Sequence, residues 1–63
     1  MERIVRTLEM DGHVIAVIES LEEEGSLFTL WVDNVVINAD APLASVPSDE
    51  DARTAALLFL ARR

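Results

Sequence analysis

Histidine is the side-chain type that changes charge near neutral pH, and this sequence has one, His13. To act as a general base it needs a nucleophile or a second polar group within reach. The surrounding residues 9–19, EMDGHVIAVIE, contain no serine, cysteine or second histidine. His13 therefore reads as a partly solvated residue beside a turn. The carboxylates of Glu22, Glu23 and Glu24, with Asp11 or Asp33, offer oxygen ligands to a hard cation. They lack the alternating D-x-D-x-D-G spacing that wraps a calcium ion. They read instead as a solvated turn that discourages edge pairing.

Ser48 precedes three acids, Asp49, Glu50 and Asp51, which makes it a helix cap rather than a nucleophile. Arg62 and Arg63 close the chain, where cations favour the negative end of a helix. Gly12 and Gly25 are the only glycines, so no glycine-rich loop can cradle a phosphate. One histidine and no cysteine leave a four-ligand zinc site without its nitrogen and sulfur donors. The expectation is a chain that is not an enzyme, with no catalytic, cofactor-binding or metal-binding residue and no cofactor.

The elements that carry these residues must fit in 63 positions, which is one small domain over residues 1–63. A chain this short buries only about 60% of its unfolded surface, so its core is marginal by itself. Small domains are commonly reinforced by disulfides, a metal or a partner subunit. Without cysteine or a zinc site, the partner subunit remains. An apolar fraction of 51% argues against disorder. No apolar run reaches the roughly 18 residues of a membrane span. The N-terminal MERIVRTLEM carries charges throughout and so lacks the apolar stretch of a signal peptide. A cytoplasmic protein that does not touch membranes is expected. The net charge of −7, twelve acids against five arginines and no lysine, opposes direct binding of DNA or RNA.

Residues 3–10 read as a first strand. Asp11-Gly12 follows, a dipeptide suited to the positive φ angles of a type I′ hairpin turn. Residues 13–21, rich in β-branched side chains, form a second strand. Glu22 to Gly25 is a polar connection, and residues 26–32 are a third strand. Asp33-Asn34 is a tight turn before residues 35–37, a short fourth strand or the tail of the third. Residues 38–47 contain both prolines and read as a loop. The segment DARTAALLFLARR, capped by Ser48, is a helix. The fold class is α+β, an antiparallel meander of three to four strands with one C-terminal helix on one sheet face.

Val14 to Ile18 are five apolar residues in succession, so a strand here is apolar on both sides. Pairing Met10 with His13 and Leu21 with Ser26 places Ile4, Leu8, Met10, Ile15, Val17, Phe28, Leu30, Val32, Val35 and Ile37 on the face under the helix. The opposite face receives Val5, Thr7, Val14, Ala16, Ile18, Leu27, Thr29, Trp31 and Val36. A one-layer antiparallel sheet normally turns a polar face to water. An apolar one marks an interface. Leu57, Leu58 and Leu60 also spread wider around the helix than one sheet contact needs.

The expected interface residues are Val5, Val14, Ile18, Leu27, Trp31, Val36 and Leu57, with a second copy of the chain as occupant and another protein as a further partner. The expected role is thus a homodimeric protein-binding or regulatory module. The competing expectation rests on Glu22, Glu23 and Glu24. A compact acidic protein can present carboxylates where nucleic acid presents phosphates and so block a basic site on another protein. Phage-encoded inhibitors of bacterial defence share this size and charge, an analogy of class alone.

Overall fold

The computed structural model describes residues 1–63. Strands β1 (Glu2–Met10), β2 (His13–Glu22), β3 (Gly25–Val32) and β4 (Val35–Val36) precede helix α1 (Asp49–Arg62). The strands form one antiparallel sheet in the order β1-β2-β3-β4, and α1 packs across one face of it.

The turns show why the sheet has this order. Asp11 and Gly12 take φ of 50° and 82°, and Asp33 and Asn34 take 49° and 69°. Both are two-residue connections with positive φ at each central position, which matches the right-handed twist of the flanking strands. The β2–β3 connection differs: Glu23 and Glu24 keep negative φ and Gly25 supplies the left-handed step at 126°. Glu22 then pairs with Gly25 and Leu21 with Ser26.

These turns set the register. Leu8 lies opposite Ile15, Arg6 opposite Val17, Ile15 opposite Val32 and Val17 opposite Leu30. One expectation fails in β1. The pairing shifts between Ile4 and Arg6, so Ile4 sits opposite Ile18 while Val5 is the extra residue of a bulge. Inserting one residue exchanges the faces of what precedes it. Val5 therefore packs toward the core and Ile4 stands on the open face, the reverse of strict alternation.

The core consists of Ile15, Val17, Leu30 and Val32 from the sheet and Ala52 and Ala56 from α1, all buried. The two alanines, one helical turn apart, carry only a methyl group and let the helix backbone lie close to the strands. Ser48 caps α1, its Oγ accepting the Asp51 N–H at 3.1 Å. Asp49, Glu50 and Asp51 occupy the first turn and Arg62 the last, both favourable to the helix dipole. Arg6 holds the helix start to β1: its Nη1 donates to the Pro47 carbonyl at 2.6 Å and lies 3.0 Å from Asp49 Oδ1.

Only 7 of 63 residues are buried. The accessible area is 4450 Å². A compact monomer of 7.0 kDa would expose about 4,000 Å². The excess follows from an elongated shape, 35 × 20 × 19 Å, with one sheet face uncovered.

Candidate protein-interaction surface

The face of the sheet away from α1 has no covering element. Its middle row runs Thr7, Ala16, Trp31 and Val36 across all four strands. The next row is Ile4, Ile18 and Thr29, and beyond it Ser20 lies opposite Leu27. On the other side Val14 lies opposite Glu9. Ile4 is 62% exposed and Val14 49%. Ala16, Ile18, Leu27, Trp31 and Val36 are half-buried, shielded by one another rather than by a second layer.

Trp31 anchors this surface. Its Nε1 donates to Thr29 Oγ1 at 2.9 Å, which satisfies the indole and holds the ring along β3. The half-buried indole lies between Ala16 and Val36, in a row that ends at Thr7 on β1. The charged residues of the face lie at its margin, Glu2 and Glu9 on β1 and Glu22 at the end of β2.

Of the residues expected at the interface, Val14, Ile18, Leu27, Trp31 and Val36 share this face. Val5 does not, because the bulge carries it to the helix side, and Ile4 takes the place it was expected to hold. Leu57 is elsewhere, 53% exposed on α1, with Leu58 beside it equally exposed. Alternation could not reveal the exchange of Ile4 and Val5, because both are β-branched and nothing in RIVRT signals a bulge.

The acidic residues fall into separate groups. Glu22, Glu23 and Glu24 form the β2–β3 turn and, with Ser26, Leu27 and Ala44, line an open depression of about 720 Å³. No arginine pairs with them. Asp33 lies at the opposite end of the sheet, where its Oδ2 is 2.6 Å from His13 Nδ1 and its Oδ1 accepts the Val14 N–H at 2.9 Å. The histidine contact and then the backbone donor hold the Asp33 carboxyl below its ordinary range. This pair ties the β1–β2 turn to the β3–β4 turn, and no hydroxyl is bonded to the imidazole.

Glu19 accepts from Ser26 Oγ at 2.6 Å and from Arg3 Nε at 2.7 Å, which lowers its carboxyl in the same way, the serine contributing most. No group of three or more histidine, aspartate or glutamate side chains converges as a metal ion requires. No helix is long and apolar enough to cross a membrane.

Between α1 and the loop that follows β4 lies a shallow groove of about 450 Å³, lined in part by Leu30, Leu43, Val46 and Ala55. No protein-family model, curated protein or solved structure matches this chain.

Proposed function

We propose that this chain is a non-enzymatic, homodimeric protein-binding module that associates through the open face of its sheet. The observation that carries the reading is the uncovered apolar surface centred on Trp31, with charge only at its margin. The whole molecule spans 35 by 20 Å, an outline of about 700 Å² that bounds the face from above and is of the same order as the roughly 800 Å² per partner of a stable interface. Two such sheets stack as in a sandwich, with their inner side chains interdigitated. Each copy would gain the second apolar layer that its own 63 residues do not supply.

Sedimentation at tens of micromolar tests this: the chain should run as more than one copy. Trp31→Asp, which places a carboxylate at the centre of the contact, should reduce the particle to single copies while the helical and sheet circular dichroism stays. A solitary wild-type chain, or a Trp31→Asp particle of unchanged mass, removes the reading.

A second reading draws on the Glu22–Glu24 turn, whose carboxylates are exposed and have no arginine paired with them. In it these carboxylates occupy a basic site on another protein in place of nucleic-acid phosphates. Salt separates the two. Copies that each carry −7 repel, so salt should strengthen the apolar association, whereas a charge-matched complex should weaken. Changing Glu22, Glu23 and Glu24 to lysine should abolish only the second kind of binding.

A further inference from the structure

The two edges of the sheet are finished differently. Along β3, β4 pairs with Val32 and Trp31, and the Leu30 carbonyl accepts the Ile37 N–H at 2.9 Å. The Asn38 side chain then continues the ladder in place of a strand: its Oδ1 accepts the Leu30 N–H at 2.8 Å. Leu43 closes the remainder through two bonds with Phe28, at 2.8 and 2.9 Å. Beside β1 there is nothing.

The bonding directions show what β1 presents there. Val14 sends both its N–H and its C=O toward Asp33, on the β3 side. Alternation turns Ile15 and Val17 toward β1, where Leu8 and Arg6 lie opposite them. Thr7 and Glu9 consequently point their N–H and C=O groups outward. The first half of β1 is blunted by the bulge and by Arg3, whereas Arg6 to Met10 is regular and pairs without a shift.

We infer that this edge receives β1 of a second copy, antiparallel, about a two-fold axis at Leu8. In that register Thr7 lies opposite Glu9 of the other copy and exchanges two backbone hydrogen bonds with it, and the symmetry repeats the pair. Arg6 then faces Met10, and Leu8 faces Leu8 in the closer, non-hydrogen-bonded pairing. No like charges meet. An axis at Glu9 sets two glutamates against each other, one at Arg6 two arginines, and one at Thr7 runs into the bulge at Val5. The chain is self-complementary in one register, which favours a second copy over an unrelated strand.

These few hydrogen bonds are small against the freedom lost on association. The edge contact rests on the face-to-face reading above for its strength. Together the two contacts close a tetramer with dihedral symmetry.

Amide hydrogen exchange on the associated full-length chain tests the inference directly. Thr7 and Glu9 amides, which have no acceptor within the chain, should exchange at least about tenfold more slowly than exposed amides. Thr7→Pro removes an outward N–H without touching the β2 ladder, and should lower the particle from four copies to two. Trp31→Asp should lower it to one. Fast exchange at Thr7 and Glu9 in the associated chain, or unchanged mass on a folded Thr7→Pro, overturns the edge pairing and leaves the face reading standing. Unchanged mass on Trp31→Asp, with Thr7 and Glu9 still slow, overturns the face reading and keeps the edge.

Discussion

The two faces of this sheet are built from the same residue types and differ in what finishes them. Ile15 and Val17 on one side are fully buried under α1, whereas Ala16 and Ile18, their immediate neighbours, have no second layer. The helix face is also fastened at its ends by polar pairs: Glu19 with Arg3 and Ser26, Arg6 with Pro47 and Asp49, His13 with Asp33. On the open face the bonds between side chains lie within single strands, Trp31 to Thr29 and Ser20 to Glu22, and the one side-chain bond across strands is a long one, Thr29 Oγ1 to the Ile18 carbonyl at 3.5 Å. Local polar closure accompanies the face that the chain covers itself. The face without it is the one suited to being covered from outside.

Paired substitutions test this contrast most sharply. Ile15→Ala should lower the urea-unfolding free energy by about 2–5 kcal/mol, because it empties a closed core. Ile18→Ala, one position from a buried residue on the opposite side, should lower that of dilute chain by about 1 kcal/mol or less and instead weaken self-association. Equal losses from both would erase the distinction between the faces.

The contrast between edges gives the next effect. Asn38→Ala leaves the buried Leu30 N–H without its acceptor and should cost about 1–3 kcal/mol in the same assay. Ser48→Ala removes the cap of the helix that makes one face different from the other, for about 1 kcal/mol.

The smallest effect comes from acid. Asp33 and Glu19 both have carboxyls lowered by folding, so the native state binds fewer protons than the unfolded chain near their titration. Their contribution is complete above the unfolded carboxylate range, about pH 4, and is lost as pH falls through the lower folded values. Urea midpoints should therefore drop on acidification below that range. Asp33→Asn and Glu19→Gln should each reduce the drop, and an unaltered pH profile in both would show that these pairs do not stabilise the helix face.

Much of the fold was legible because its signals are local. Asp11-Gly12 and Asp33-Asn34 specify their turns by backbone preference alone. Ser48 and its three acids mark a helix start, and the hairpin registers follow from the turns. The Ile4–Val5 exchange was not legible, because a bulge arises from sheet twist and packing rather than from residue type. Neither was the edge role of Asn38. An asparagine in a loop announces a turn, and only the folded chain brings its amide to the Leu30 N–H eight residues earlier. The partners of Arg6 and His13, 41 and 20 residues away, were hidden for the same reason.

Consecutive apolar residues such as Val14 to Ile18, on a chain of 63 residues, determined that the sheet would be apolar on both sides, since side-chain period and turn register are properties of neighbouring residues. Which of Ile4 and Val5 turned to the helix, which edge was sealed and which was left free were decided only in three dimensions. Those choices depend on contacts between residues far apart in the chain, and no local preference encodes them.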